Sequence, residues 1–289
     1  MSDDNKLSGR VIGGVRVLGL LNTAIERLDG VDINATAFST GLLDTYGSAA
    51  AAYSVRRLSS SYTGACMRVR EDGTNTETDI GFNSAGHVDV LAIRDHCGSN
   101  SGFIRYWYDQ SGNAVDAGQA TETSQPQIYN GTTVFSQNGK PRIEFASGKK
   151  LLMTYSTGGT SAVFYSVQAN PTTSCIPFLA SGTFPAPYLQ RWIDNDTATV
   201  VYRNVGTPST YADGTLLSSP TLDDIYEAIA ANNQALLLTF CDTSTMNGLS
   251  FEINHAGATS MQEFVTWDSG QQSNRTGIET NVNGYFKIF

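Results

Sequence analysis

Charge is what this 289-residue sequence has least of. Only 16% of its residues are Asp, Glu, Lys or Arg, against roughly 25% in ordinary soluble domains. No Lys/Arg run occurs, and the net charge of −9 would repel a phosphate backbone, so no nucleic-acid partner is expected. No stretch of about 18 apolar residues is present, so no membrane insertion is expected. The apolar segment Val11 to Leu21 is interrupted by Arg16 and preceded by Arg10, which makes a poor secretory signal. Cysteine and histidine are also scarce. Cys66, Cys97, Cys175 and Cys241 form no Cys-x-x-Cys pair, and His87, His96 and His255 are scattered, so no zinc spacing exists and no metal site is expected. Three complete disulfide pairings stay open beside buried free thiols.

What is abundant points to short strands. Gly (28), Tyr (13) and Phe (13) accompany many Ser, Thr and Asn residues. Cys66 to Arg70 alternates apolar and charged residues, Asp72-Gly73 marks a turn, and Thr78 to Phe82 reads as the next strand. Phe103 to Tyr108 is almost all aromatic or β-branched and stops at a sharp turn. Further strands are expected at Thr132 to Phe135, Arg142 to Phe145, Ala162 to Gln168, Thr199 to Arg203, Ala235 to Phe240, Leu249 to Ile253 and Gln262 to Trp267. Short helices are expected near Val88 to Ala92, at Leu222 to Ile229 behind a Thr221/Asp224 capping box, and at Ile278 to Tyr285 behind Ser273. The expected fold is all-β: a two-sheet jelly-roll sandwich over residues 47–289 with a few short helices. Residues 1–46, with a possible helical turn at Thr23 to Leu28, are expected to form an N-terminal arm for docking or assembly.

Two stretches carry a resemblance. Arg57 to Ala65 running on through Thr78 to Phe82, and Tyr108-Asp109-Gln110-Ser111-Gly112-Asn113, resemble both the catalytic domain of the α-L-arabinofuranosidase B family and the lectin-like domains of tailed-phage virion proteins. The ending Phe264 to Asp268, then Ser273 to Glu279, looks closest to the phage versions. Both groups imply a concanavalin A-like (laminin-G-like) sandwich. The adjacent cysteine pair typical of the arabinofuranosidase pocket has no counterpart here. The resemblance therefore implies a non-enzymatic virion structural protein, a tail fibre, receptor-binding tip or capsid decoration protein, made in the host cytoplasm. Such a protein would contact other virion proteins through residues 1–46, adhere to host-surface glycans and form a homo-oligomer. A glycoside hydrolase and a purely architectural protein are the other readings.

Four residues stand out as ligand candidates. Asp109 could meet a cation or a sugar hydroxyl, or cap its own turn. Trp192 could be a sugar platform beside the polar stretch Asp194-Asn195-Asp196. Asp194 and Asp196 with Asn195 offer about three oxygen-bearing side chains where calcium takes six to eight, so calcium is only weakly supported and no cofactor is expected. For hydrolysis, which uses two carboxyl groups, Asp194, Asp196, Asp223, Asp224, Glu227 and Asp242 are the candidates, and no catalytic residue is assigned among them. Trp107 is expected in the core, on one face with Arg105.

Overall fold

The computed structural model of the protein describes residues 10–12, 15–17, 38–154, 160–168, 174–181, 188–193, 208–232, 234–242, 250–256, 258–268 and 270–289, with the backbone alone over 10–12, 15–17, 160–168, 174–181, 188–193, 222, 230–232, 241–242, 250–252 and 254–256. The chain divides into two compact units, Met1–Thr36 and Ala37–Phe289. In the first, β1 (Arg10–Ile12) and β2 (Val15–Val17) pair antiparallel, with Arg10 opposite Val17. The helical turn expected at Thr23 to Leu28 and the strand expected at Thr199 to Arg203 lie outside the described residues.

The second unit is mostly β-sheet with a few short helices, as an all-β sandwich requires. It opens with helix α1 (Leu42–Thr45), followed by β3 (Ala49–Ser54), β4 (Met67–Glu71), β5 (Glu77–Ile80), helix α2 (Val90–Cys97) and β6 (Ser101–Trp107). β7 (Ala117–Gly118), β8 (Gln127–Asn130), β9 (Ser136–Gln137), β10 (Lys140–Pro141), β11 (Ile143–Phe145) and β12 (Leu151–Thr154) come next. The later strands are β13 (Thr160–Gln168), β14 (Ser174–Ser181), β15 (Tyr188–Ile193), β16 (Ser209–Ala212) and β17 (Thr215–Leu217). Helix α3 (Leu222–Asn232), β18 (Gln234–Asp242), β19 (Ser250–Ala256), β20 (Thr259–Trp267) and helix α4 (Arg275–Phe286) complete the unit.

β20 is the organising strand. It pairs with β13 along one edge and with β11 and then β3 along the other. All nine of its residues are buried, so both faces carry a packed layer. Tyr53, Trp107 and Phe264 meet in the core, with Tyr53 ring centroids 5.7 Å from Trp107 and 6.3 Å from Phe264. Contacts of this kind add directional preference to the burial of large aromatic surfaces. Cys66 and Cys97 are buried free thiols, and burial raises the pKa of both.

Local chemistry explains where expected elements were displaced. The strand foreseen at Thr132 to Phe135 is instead a turn and an isolated bridge from Val134 to Tyr129. The Asn130 side chain accepts the Thr132 and Thr133 N–H groups at 3.0 and 2.8 Å, and Gly131 sits at φ +86°. Those amides are therefore taken before a ladder can form. Trp107 is in the core, but not on one face with Arg105. A bulge pairs Arg68 with Tyr106 and Val69 with Ile104, so Arg105 is skipped and the alternation changes phase. Ahead of α4 a 3-10 turn, Gln272–Asn274, replaces the expected Ser273 cap. The Thr221/Asp224 capping box at α3 is present, with Asp224 N–H donating to Thr221 Oγ1 at 3.2 Å and Thr221 N–H to Asp224 Oδ2 at 2.6 Å.

Gly41 shows how tightly the lead-in to the sandwich is fixed. A Cβ on this residue would lie 2.1 Å from the Leu58 carbonyl oxygen, which accepts the Leu43 N–H at 2.8 Å. That obstacle is backbone and has no rotamer to yield. Gly41→Ala is expected to destabilise the protein by about 1–3 kcal/mol, the usual cost of overpacking, read as a lower denaturant midpoint. An unchanged midpoint would contradict this packing.

Candidate active site

The motif Tyr108 to Asn113 follows β6 and runs beside β3. One edge of β3 is paired with β20. Much of the other edge is satisfied by motif groups rather than by a strand. Asp109 Oδ1 accepts the Ala52 N–H at 2.8 Å, Gln110 N–H donates to the Ala52 carbonyl at 2.7 Å, and Asn113 Nδ2 donates to the carbonyls of Ala49 and Ala50 at 2.9 and 3.0 Å. The Gln110 side chain accepts the Leu58 N–H at 2.8 Å and donates to the Arg56 carbonyl at 3.0 Å. The motif is a latch: short polar side chains stand in for a missing strand, so buried backbone groups keep their partners.

Asp109 is consumed by this role. Besides Ala52, its carboxylate accepts the Ser111 N–H (2.9 Å), the Ser111 hydroxyl (2.6 Å) and the Val115 N–H (3.1 Å). Its side chain is buried, and four donors occupy its two oxygens. This is the turn-capping alternative anticipated from sequence.

The latch shapes a pocket of about 450 Å³ lined by Tyr62, Gly64, Ala65, Asp79, Tyr108, Asp109, Gly112, Ala114 and Asp116. Asp79 accepts Arg68 through two bonds of 2.7 and 2.8 Å and the Tyr108 hydroxyl at 2.7 Å. The Arg68 guanidinium is the main reason the Asp79 carboxyl stays below the usual carboxylate range. Burial, and then the bond to Asp79, push the Tyr108 phenol well up. The Tyr62 hydroxyl donates to the Ala65 carbonyl at 2.8 Å, and burial pushes its pKa to about 12. Both tyrosines are therefore neutral hydroxyl-bearing walls across the physiological range. Asp116 is exposed, and its Oδ1 accepts the Asp109 N–H at 2.9 Å. Asp79 and Asp116 are both exposed, and Asp116, with its one bond to the Asp109 N–H, carries fewer partners than Asp79.

Of the sequence candidates, Asp109 lines this pocket. Trp192 lies on β15, where its backbone is opposite Cys175, and its side chain is outside the described part of the structure, as are Asp194 and Asp196. Asp224 is spent on its capping box, and Asp223 and Glu227 share its helix. Among the described residues, no group of three or more His, Cys, Asp or Glu could hold a metal ion. Tyr62, Asp79 and Tyr108 lie inside the two stretches that carry the resemblance, but nothing in their spacing marks them as walls of one pocket. Asp116 follows the motif by three residues with no spacing rule to mark it.

Comparison with known proteins places this pocket in context. Residues 44–169 match the model of the "Alpha-L-arabinofuranosidase B, catalytic" family. The chain is 32% identical over 160 residues to α-L-arabinofuranosidase B of Aspergillus oryzae, which spans 53% of this chain and 29% of that protein. Two solved structures share its fold. One, an arabinofuranosidase complexed with arabinofuranosyl-α-1,2-xylobiose, has a TM-score of 0.56 at 15% identity, over 84% of this chain and 64% of that one. The other, a glutamate-to-glutamine mutant of a GH54 α-L-arabinofuranosidase soaked with 4-nitrophenyl α-L-arabinofuranoside, has a TM-score of 0.55 at 14% identity, over 81% and 62%. The chain thus spans under a third of the curated relative and under two thirds of the structural ones. These matches overturn the expected virion structural protein, its virion location and its lack of enzymatic activity, and with them the tail-fibre, capsid-decoration and host-attachment roles. The closing helix had favoured the phage reading. In the structure α4 buries Ile278, Val282 and Phe286, a packing role that does not distinguish the two groups.

Proposed function

We propose that this chain is a glycoside hydrolase acting on α-L-arabinofuranosyl groups. The observation that carries the reading is the match of residues 44–169 to an arabinofuranosidase catalytic domain, because every residue lining the Tyr62–Tyr108 pocket falls inside that range. The concanavalin A-like, two-layer jelly roll belongs to the same proposal, supported by the burial of both faces of β20.

Glycosidases of most families flank the scissile bond with two carboxyl groups, one ionised and one able to exchange a proton. The pocket offers two exposed carboxylates, Asp79, held ionised by Arg68, and Asp116, without a role in proton exchange assigned between them. Tyr62 and Tyr108 supply the walls that orient a small sugar. Trp192, Asp194 and Asp196 are proposed as further substrate contacts. The complex formed by the structural relative, with arabinose linked to xylobiose, makes arabinose side chains on a xylan backbone the substrate class to try first.

Asp116→Asn tests the pocket directly. It keeps the shape and the acceptor for the Asp109 N–H but removes the charge. A lost hydrogen bond to a charged group is worth about 1.5–3 kcal/mol, so kcat/KM on 4-nitrophenyl α-L-arabinofuranoside is expected to fall by about 10- to 100-fold. Wild-type kinetics in this variant would place the substrate elsewhere.

A further inference from the structure

Two adjacent arginines follow β3, and their circumstances are opposite. Arg56 is matched by Glu263 at 2.7 Å, whereas among the described residues no carboxylate or other acceptor meets the Arg57 guanidinium. Arg57 is partly buried, and its Nε is enclosed without a partner. Its Nη1 and Nη2 also lack partners but are not enclosed, so the end of the guanidinium faces solvent.

Aromatic rings hold this cation in place of a counterion. Arg57 Cζ lies over Phe38 and Phe82, at 5.4 and 5.5 Å from their ring centroids, within the range of cation–π attraction. The turn after β5 fixes the arrangement. The Asn83 side chain accepts the Ala85 and His87 N–H groups, each at 3.0 Å, and the Arg57 N–H donates to the Gly86 carbonyl at 2.7 Å. The Phe38 N–H donates to the Ser84 carbonyl at 2.9 Å. Gly86, at φ +77°, leaves room for the Phe38 ring, since a Cβ there would lie 2.5 Å from Phe38 Cδ2. Phe82 in turn meets Tyr62, a wall of the pocket, edge-on with centroids 6.3 Å apart.

We propose that Arg57 binds the carboxylate of a uronic acid substituent on the polysaccharide whose arabinosyl group enters the Tyr62–Tyr108 pocket. The identity of that polysaccharide rests on the proposed function; the affinity for an acidic sugar does not. In a chain of net charge −9, a fixed cation with no counter-charge is a local attractor for anions. Apolar rings beside it lower the local dielectric and strengthen that attraction. The two open Nη groups present donors that match the two oxygens of a carboxylate, and the rings orient this fork before a ligand arrives. A neutral hydroxyl gains no such charge-assisted pair, so the acid is the ligand class. Phe82 and Tyr62 link Arg57 to the pocket, so one short oligosaccharide reaches both.

The test compares two ligands of the full chain by isothermal titration calorimetry. One is a xylo-oligosaccharide substituted with glucuronic acid and free of arabinose; the other is the same compound with its carboxyl reduced to an alcohol. Neither carries an arabinofuranosyl bond, so binding is read without turnover. The acid is expected to bind about tenfold more tightly, the value of one hydrogen bond to a charged group at a partly exposed site. Added salt should erode that advantage. Arg57→Gln should bind both compounds equally, and Arg57→Lys should fall between it and wild type, because lysine keeps the charge without the fork. Equal affinities in the wild-type chain, a comparison that needs no variant to fold, would overturn the proposal, as would a preference that survives in Arg57→Gln. If the preference is absent while the wild-type chain releases nitrophenol from 4-nitrophenyl α-L-arabinofuranoside, the Arg57 site alone fails. A preference without any hydrolysis would sustain the Arg57 site and sink the hydrolytic reading.

Discussion

Replacing Glu263 with alanine is expected to destabilise the protein by about 3–5 kcal/mol, the usual cost of breaking a buried ion pair by removing one partner. Glu263 lies in the middle of β20 with its side chain fully buried, and Arg56 beside it is 8% exposed. Arg56 Nε and Nη2 donate to the two carboxylate oxygens at 2.7 and 3.0 Å, and the Ser54 hydroxyl adds a bond of 2.6 Å. The guanidinium also lies over Tyr285 and Phe286, at 4.9 and 5.5 Å from their ring centroids. The pair therefore ties β20, the segment after β3 and the closing helix into one unit. In Glu263→Ala the arginine keeps its charge in an apolar enclosure and loses its counterion. Chemical denaturation should show the loss in full. A change below about 1 kcal/mol, as for a surface pair, would mean that the cluster is open to water.

Asp109→Ala should cost a comparable amount, about 3–5 kcal/mol. It strips the acceptor from three backbone N–H groups, and a buried donor left unsatisfied costs about 1–3 kcal/mol. Asp109→Asn should cost less, because one oxygen remains for Ala52 and Ser111. The new amide would face the Val115 N–H and the Ser111 hydroxyl. The two substitutions also separate roles. A latch predicts that activity and stability fall together, more for Ala than for Asn. A purely catalytic Asp109 predicts that Asn abolishes turnover while the denaturation midpoint stays at the wild-type value.

The same residues show what the sequence could and could not disclose. Strands with clean alternation, such as Met67–Glu71, and helices with a capping box, such as Leu222–Asn232, were readable because their signals are local. Trp107 was placed in the core correctly, but its facing was not, since a bulge is set by the partner strand. Asp109 was legible as a turn residue. Its bond to Ala52, 57 positions earlier, was not, and neither was the convergence of Asp79, Asp116 and the two tyrosines, which lie on β5, the β6 exit and separate loops. The buried position of Glu263 was hidden for the same reason: only the fold reveals that β20 is covered on both faces. The terminal helix lies outside residues 44–169, where the arabinofuranosidase match falls, so its likeness to the phage versions says nothing about the pocket.

The most direct test is incubation of the purified chain with 4-nitrophenyl α-L-arabinofuranoside and with an arabinofuranosyl-substituted xylo-oligosaccharide. Nitrophenol release from the first, free arabinose from the second, and loss of both in the Asp79→Asn/Asp116→Asn double variant are the predicted results. A folded chain that releases neither product above the uncatalysed rate would contradict the assignment of this fold and pocket to arabinofuranoside hydrolysis.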